Sequence, residues 1–176
     1  MPMIVRPANT RDVAALTALY NDLGVATTAS YDLRPVTADE RRAWLSDHIA
    51  HDWPVLVAEN DGQVIGFAAY GPFRPKAGYR HTVEHSVYVR DEYQGQGVGR
   101  ALLTALLGAA QARRVHAVVG VVDAANAASI AFHEHLGFQT VGTLPQVGRK
   151  FGRWLDVTFQ VLLLPELPDD QEDDDE

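Results

Sequence analysis

Three glycines lie within six residues just before a strong helix-forming run: Gln94-Gly-Gln-Gly-Val-Gly99 is followed by RALLTALL. Glycine lacks a Cβ atom, so such a turn can bend tightly and expose its main-chain N–H groups. The first N–H groups of a helix have no partner within the helix, and the helix dipole is positive at that end. Phosphate and pyrophosphate groups suit such a site. The spacing therefore favours an anion-binding turn, with a purely structural tight turn as the alternative.

Two common nucleotide-binding motifs do not fit this turn. A dinucleotide fingerprint has Gly-x-Gly-x-x-Gly near the start of a βαβ unit and an acidic residue about 20 positions later. The glycine spacing here is different, and Arg100 stands after the last glycine where a P-loop would have a lysine. The pattern thus disfavours NAD and ATP as the bound anion.

Hydrophobic periodicity and turn signals predict the elements that position this turn, in the order βααβββαβαββ. A helix to about Leu23 follows Asn9 or Thr10, and a second follows the capping box Thr37–Glu40 and buries a stripe of Trp44, Leu45 and Ile49. A third helix runs from the glycines to about Arg113, and a fourth runs from Asn126 to just before Gly137. Strands are predicted at 3–7, 81–89, 116–122, 138–146 and 154–164, with a hairpin at Asn60-Asp61-Gly62. This order is typical of an α/β or α+β layered domain.

The charge of the chain is concentrated at its C-terminal end. Residues 165–176 carry eight acidic side chains and no basic one, which accounts for the whole formal net charge of −8. We expect a disordered, solubilising tail, because like charges repel and little apolar surface is available; a regulatory tail is the alternative. Residues 1–164 should form one domain, and their balanced charge offers no basic field for nucleic acid.

Composition excludes several other classes. No apolar run is long enough to span a membrane, so no membrane partner is expected. The chain has no cysteine, which rules out disulfides and thiolate chemistry and fits a cytoplasmic location. No metal site is predicted, because five of the histidines show no spacing typical of metal ligands; these are His48, His51, His81, His116 and His135.

Two segments resemble the GNAT acetyltransferase superfamily. Residues 94–99 match its Gln/Arg-x-x-Gly-x-Gly/Ala signature, and residues 126–138 are similar to its late helix, which begins with Asn and ends in Leu-Gly-Phe. Residues 70–89 and 147–159 further resemble the phosphinothricin and methionine sulfoximine/sulfone N-acetyltransferases. The resemblance covers about residues 3–164, with all segments in the expected order. It implies a GNAT fold with a mixed central sheet of about seven strands and four helices.

The resemblance also implies acetyl-CoA as co-substrate. The pantetheine arm would lie against a strand that diverges from the strand at 116–122, and the glycine turn would hold the pyrophosphate. Asn126 would contact the pantetheine or the acetyl end while also capping its helix, and a main-chain N–H near Val89 would stabilise the developing oxyanion. The implied acetyl-CoA-binding residues are Val87, Tyr88, Val89, Gly95, Gln96, Gly97, Val98, Gly99, Arg100 and Asn126.

Glu84 and His133 are the candidate catalytic residues for acyl transfer from a thioester to an amine. A carboxylate partly buried in the otherwise apolar or small strand TVEHSVYV should have a raised pKa, which suits a general base. The alternative is that Glu84 only pairs with Arg74, Lys76 or the substrate ammonium. His133 stands where many members of the superfamily have a tyrosine acid, and the narrower family shares the histidine. It either transfers a proton near neutral pH or packs beside the cofactor without doing so.

The narrower resemblance implies a small amino acid analogue as acceptor, of the phosphinothricin, methionine sulfoximine or methionine sulfone type, acetylated on its α-amino group with detoxification as the benefit. Arginine offers a fork for carboxylate or tetrahedral oxygens, and lysine a point charge. Tyr31 either walls the site or fills the core. The implied substrate-binding residues are Tyr31, Arg74, Pro75, Lys76, Glu84, His85 and Ser86.

Three points stay open at this level. The basic residues Arg149, Lys150 and Arg153 form a solvated hairpin, a wall of the substrate site or part of a dimer contact, and the family usually forms homodimers. The acceptor is alternatively another small amine, an amino acid or a protein N-terminus. A different class of function is a non-catalytic acetyl-CoA-binding module.

Overall fold

A seven-stranded mixed sheet runs through the computed structural model, which describes residues 2–165. The strand order is β1-β2-β3-β4-β5-β7-β6; only β4 and β5 are parallel, and the other neighbours are antiparallel. The strands are β1 (Ile4–Pro7), β2 (Val55–Asn60), β3 (Gln63–Pro72), β4 (Thr82–Val89), β5 (Ala117–Asp123), β6 (Gln139–Lys150) and β7 (Arg153–Leu163). The predicted element order is confirmed. Residues 166–176, most of the predicted tail, lie outside the described residues.

Four α-helices of the described chain cover the two faces of this sheet. They are α1 (Val13–Tyr20), α2 (Ala38–Ala50), α3 (Val98–Ala112) and α4 (Ala127–His135). On one face α3 buries an apolar stripe against β2, β3 and β4, and its buried residues include Leu102, Leu103 and Leu106. On the other face Leu16, Leu19 and others of α1 and α2 pack around Phe67 and Tyr88. The core therefore has two halves, separated by the sheet.

The predicted helix starts are confirmed in detail. Asn9 forms a capping box with Asp12 at the 3-10 turn Thr10–Asp12 that leads into α1, and Thr37 forms one with Glu40 at α2. The first helix was predicted to run to Leu23. Its α-helical part ends at Tyr20, and a π-helical turn continues over Asn21–Val25. Such widened turns are frequent at functional sites.

The predicted stripe of α2 is wrong at one position. Leu45 is buried, but Ile49 is 60% exposed. The buried positions of α2 are Arg41, Leu45 and His48, spaced i, i+4 and i+7. Ile49 lies beyond the edge of that stripe. The face that contacts the sheet includes the polar residues Arg41 and His48, which a search for apolar periodicity does not count.

Both hairpins of the sheet turn through two residues with positive φ, as two-residue hairpin loops require. Asp61 and Gly62 join β2 to β3, as predicted, and Phe151 and Gly152 join β6 to β7. The last hairpin is therefore longer and tighter than predicted. Its basic residues belong to the strands, not to a loop.

Candidate active site

β4 and β5 pair over three residues and then separate. The parallel register joins Thr82–Glu84 to Ala117–Val119 and goes no further, while β5 continues to pair with β7 as far as Asp123. The gap is a cleft of about 80 Å³, here called the β4–β5 cleft. The predicted divergence of the two strands is thus present. Residues that line it include Ser86, Val87, Gly120, Val121, Asn126 and Ser129.

The free edge of β4 presents main-chain groups to this cleft. Arg90 N–H donates to Ile65 O on β3 at 2.9 Å. Successive residues of a strand point their N–H groups to opposite sides, so those of Val87 and Val89 point away from β3, toward the separated β5. An extended chain laid in the cleft can form strand-like hydrogen bonds with them.

The glycine turn lies at the start of α3 and approaches the end of β4, since a Cβ on Gly99 would lie 3.7 Å from Val89. Gly95 and Gly97 have φ of 71° and 83°, a conformation that costs other residues free energy, and no heavy atom lies within 4 Å of a Cβ placed on either. Gly97 is the N-cap of α3 and makes no side-chain cap. The space beside Gly95 and Gly97 is therefore open at the start of α3, where the first N–H groups lack helical partners, and this fits a pyrophosphate. Gly99 approaches Phe132, and Val98 is buried in the core, so these two offer only main-chain groups.

Asn126 caps α4, as predicted, and also lines the β4–β5 cleft. Its side-chain oxygen accepts a hydrogen bond from Ser129 N–H at 3.0 Å, which caps α4. The residue also lines the β4–β5 cleft. Because the oxygen is engaged by the helix, the amide nitrogen is the atom that can donate into the cleft. Gln96, by contrast, turns its amide back to Glu92 O at 2.8 Å.

A second cleft, of about 570 Å³, lies between the other face of the sheet and the segment that joins α1 to α2. We call it the α1–α2 cleft. It shares seven lining residues with the first, so the two meet near the middle of β4; these are Ala29, His85, Ser86, Tyr88, Val121, Val122 and Asp123. Its remaining walls come chiefly from α2 and β3, and they include Tyr20, Tyr31, Asp32, Glu40, Arg41, Trp44, His48, Phe67, Tyr70 and Glu84.

Glu84 lines the α1–α2 cleft from β4. The sequence predicted a partly buried carboxylate, whereas the structure leaves the residue exposed to the cleft. Enclosure by the cleft walls still raises its pKa, and the positive charge of Arg74 opposes that shift. The environment of a general base is therefore present, without deep burial.

The residues predicted to contact substrate divide into two groups. Tyr31 and Ser86 line the α1–α2 cleft beside Glu84. Arg74, Pro75 and Lys76 do not line it; they are exposed residues of the segment before β4. The guanidinium of Arg74 lies 4.9 Å from the ring centroid of Phe73.

His85 was also predicted to contact substrate, but its side chain points the other way. Alternation along β4 sends it to the face opposite Glu84 and Ser86, where it is 6% exposed. Its Nδ1 lies 3.0 Å from Val119 O and its Nε2 lies 2.9 Å from His133 Nε2. His85 therefore contacts the second predicted catalytic residue; it lines both clefts near the middle of β4, but its ring nitrogens face Val119 O and His133.

His133 is buried with both ring nitrogens engaged. Its Nδ1 lies 2.7 Å from Ser129 O, one turn earlier in α4, and its Nε2 faces His85. Burial lowers its pKa. This geometry leaves no ring nitrogen for a leaving thiolate and favours the reading of a packed histidine.

Sequence reasoning missed two polar residues of the α1–α2 cleft, Arg41 and His48. Arg41 and His48 are buried on the stripe of α2, and His48 Nδ1 lies 2.9 Å from Trp44 O. Their i, i+7 spacing around Trp44 and Leu45 was the available signal. Lys150, which the sequence did single out, does not line this cleft; its Nζ donates to Thr27 O and Ser30 O at 2.6 Å each, in the segment that joins α1 to α2. Lys150 is buried, so the solvated reading of the basic hairpin is wrong at this residue.

The comparisons with known proteins agree with this geometry. Residues 16–138 match the sequence model of the Acetyltransferase (GNAT) family. The chain belongs to the GNAT acetyltransferase family. This GNAT acetyltransferase uses acetyl-CoA as its acetyl donor, and the open glycine turn and the β4–β5 cleft fit that molecule.

Three members of the family are similar to this chain over most of its length. An L-methionine sulfoximine/L-methionine sulfone acetyltransferase of Pseudomonas aeruginosa is 46% identical over 93% of the chain and 96% of that protein. A phosphinothricin N-acetyltransferase of Alcaligenes faecalis is 40% identical over 88% of the chain and 79% of that protein. The structure of yncA from Salmonella typhimurium, solved with its cofactor acetyl-CoA, superposes with a TM-score of 0.91 at 44% identity, covering 97% of this chain and 99% of that one.

Among residues 2–165, no group of three or more metal-ligating side chains lies together. The same residues contain no helix of the length and apolarity that crossing a bilayer requires.

Proposed function

We propose that this GNAT acetyltransferase transfers the acetyl group to the α-amino group of a small amino acid analogue of the methionine sulfoximine, methionine sulfone or phosphinothricin type. One observation carries the proposal: the β4–β5 cleft and the α1–α2 cleft meet at the middle of β4, with Glu84 on the wall of the second. The names of the relatives at 46% and 40% identity support this class of acceptor.

The donor side is formed largely by main-chain groups. The N–H groups at the start of α3 hold the pyrophosphate, and those of Val87 and Val89 bind the pantetheine arm and the thioester carbonyl. A donor placed where charge develops on that oxygen stabilises the transition state more than the ground state. Asn126 contributes its amide nitrogen beside the thioester end of the cleft.

On the acceptor side, Glu84 acts as the general base. An α-amino group enters as an ammonium and must lose a proton before its lone pair can attack. Glu84 accepts that proton, directly or through a water molecule, and its raised pKa brings it closer to the operating pH. Tyr31 closes the cleft above it, and Ser86 lies two residues further along the same face of β4.

Arg74, Pro75 and Lys76 are proposed contacts at the open end of this cleft. The positive charge of Arg74 reaches Glu84, since it lowers the pKa of that carboxyl. A carboxylate attached to the same carbon as the reacting amine would therefore come near Arg74. Because both basic residues are exposed, they add to capture and orientation of the acceptor more than to the chemical step.

His133 receives no proton-transfer step in this proposal. Its Nδ1 lies 2.7 Å from Ser129 O and its Nε2 lies 2.9 Å from His85 Nε2, so both nitrogens already face protein groups. Its role is to fill the space behind the β4–β5 cleft, where Gly120 leaves room for both rings: a Cβ on Gly120 would lie 3.1 Å from His85 and 3.6 Å from His133.

We also propose that the protein is a homodimer that pairs along the outer hairpin. β6 is an edge strand of 12 residues, and a long exposed edge with apolar side chains is a surface that proteins normally cover. Sedimentation equilibrium tests this assignment. The exposed apolar side chains of this hairpin are Val141, Leu144, Val147, Phe151, Trp154 and Leu163.

A panel of acceptors tests the proposed function through the release of free CoA. It contains methionine sulfone, methionine sulfoximine, phosphinothricin, simple amines and a peptide with a free N-terminus. We expect the highest kcat/KM among the three amino acid analogues. Turnover of the peptide alone would make the protein an N-terminal acetyltransferase, and acetyl-CoA binding without turnover of any acceptor would make it a non-catalytic module.

A further inference from the structure

Arg41 is a buried cation in the wall of the α1–α2 cleft. The residue lines the cleft and is only 5% exposed. It makes no ion pair with any residue of the described chain, and its Nε is buried without a hydrogen-bond partner. A buried charge without a partner is costly, and such groups are normally paired or bound to a ligand.

Two aromatic rings hold the guanidinium in place. Its carbon lies 4.1 Å from the ring centroid of Tyr20 and 4.5 Å from that of Trp44. Contacts of this kind stabilise a cation and fix the plane of its fork, but the buried Nε of Arg41 remains without a hydrogen-bond partner. Arg41 is thus oriented before anything binds, as a rigid donor for planar or tetrahedral oxygens.

No carboxylate that lines the cleft forms an ion pair with Arg41, although the charge of Asp32 acts on it. Arg41 is the only lysine or arginine among the residues that line the cleft. The carboxylates on the same wall have other partners: Asp32 accepts from Tyr20 Oη at 2.6 Å, and Glu40 accepts from Arg34 and from Thr37 N–H. An anionic or strongly dipolar ligand group is the partner that this site lacks.

Arg41 and Arg74 serve different parts of an acceptor. The charge that acts on Glu84 comes from Arg74, whereas Arg41 lies on α2 against Tyr20 and Trp44. An amine held at Glu84 places its own α-carboxylate near Arg74. The end of the side chain then extends toward Arg41.

We propose that Arg41 binds the oxygen atoms at the end of the acceptor side chain, a sulfonyl, sulfoximine or phosphinyl group, and thereby selects oxidised or phosphinyl amino acids over unoxidised ones. The inference rests on the proposed function for the identity of the acceptor. It adds a specificity-determining residue on α2, outside the exposed segment with Arg74.

Methionine and methionine sulfone provide the test, because they differ only in the two oxygens on sulfur. Wild-type protein should have a higher kcat/KM for the sulfone. In Arg41→Lys and Arg41→Gln we expect this preference to fall about 10- to 100-fold, the usual cost of a lost hydrogen bond to a charged group. Activity on methionine and the Kd for acetyl-CoA should change little. Arg42→Gln is the matched control, since Arg42 is the exposed neighbour on the same helix.

Two results would overturn the inference. In the first, the variants lose activity on methionine and on the sulfone equally, which would place Arg41 at a part that the two share or in the fold alone. In the second, the variants keep the wild-type preference. A wild-type protein that acetylates none of the panel contradicts the proposed function instead, and calorimetric binding of the two ligands then decides the role of Arg41 without turnover.

A measurement on wild-type protein covers the case in which neither variant folds. The Nε–H resonance of Arg41 should shift more on addition of methionine sulfone than on addition of methionine. Equal shifts, or none, would refute the assignment.

Discussion

His85 Nε2 lies 2.9 Å from His133 Nε2, while the Nδ1 atoms of the two rings face the carbonyl oxygens of Val119 and Ser129. Carbonyl oxygens only accept, so the three hydrogen bonds of this chain require three protons, and two neutral imidazoles carry two. A third proton would make one ring a positively charged imidazolium, which burial disfavours. Burial lowers the pKa of both rings, that of His85 to about 3. The buried pair beside the β4–β5 cleft is therefore neutral, and one of its three close contacts has no hydrogen.

This pair should make folding stability sensitive to mild acid. An unfolded histidine takes up a proton near pH 6.5, whereas folded His85 does so only near pH 3. The unfolded state binds more protons within that window, so the free energy of unfolding should fall as pH drops below about 6.5. Urea titrations between about pH 5 and 6.5 avoid most carboxylate titration and measure the slope. His85→Asn should reduce the slope and exposed His135→Asn should not; equal slopes in all three proteins would contradict the assignment.

Glu84→Gln should abolish most turnover while the fold and acetyl-CoA binding survive. Loss of a general base costs about 10²–10⁴ in kcat. Stopped assays of CoA release, together with calorimetric Kd values for acetyl-CoA, separate the two effects. Glu134→Gln is the control, since Glu134 is an exposed carboxylate on α4.

The pH profile of kcat/KM tests Glu84 in the wild-type enzyme. Its carboxyl pKa is raised above the ordinary 4.5, and only the deprotonated form accepts a proton. Activity should therefore decline as pH falls through a pKa above 4.5, and Glu84→Gln should lack this acid limb. An unchanged limb in the variant would assign it to the amine or to another group.

Gly97→Ala should weaken acetyl-CoA binding and destabilise the fold. The positive φ of Gly97 costs an alanine about 1–2 kcal/mol, and the new methyl would occupy the space above the first N–H groups of α3. Gly108→Ala is the matched control: Gly108 is an exposed position within α3 with open space at its Cβ, where alanine stabilises a helix by about 0.5–1 kcal/mol. Thermal melts and titrations with acetyl-CoA measure both effects. Gly108→Ala should raise the melting temperature or leave it unchanged, and it should not change the Kd for acetyl-CoA. Unchanged affinity in Gly97→Ala would remove the glycine turn from the pyrophosphate site.

Lys150→Met should loosen the segment that carries Tyr31. The Lys150 ammonium binds two carbonyl oxygens of that segment, and the Tyr31 ring lies directly against Gly148 in the adjacent strand. We expect a higher KM for the acceptor, an unchanged KM for acetyl-CoA and a stability loss of about 1–3 kcal/mol from unsatisfied buried groups. Arg149→Met, which removes the exposed neighbouring charge, should leave all three unchanged. Equal effects of the two substitutions would indicate a general role of charge in the hairpin.

Local signals in the chain predicted the order of elements, because each such signal acts over a few residues. Each of these signals acted within one element: the capping boxes at Asn9 and Thr37, the glycines that favour left-handed backbone, and the alternating apolar residues in strands. The failures were of another kind. Ile49 was assigned to a buried stripe because periodicity shows that a helix has a face but not where the sheet meets it.

The glycine turn, the strand with Glu84 and the helix capped by Asn126 were set by the amino acid order alone, since backbone preferences and repeat patterns operate between near neighbours. Only the tertiary structure decided that His85 faces His133 rather than the acceptor, that Lys150 fastens a segment more than a hundred residues away, and that Arg41 stands unpaired in the cleft. These relationships join side chains from different elements. Their partners depend on how the layers pack around the sheet, which no single stretch of sequence encodes.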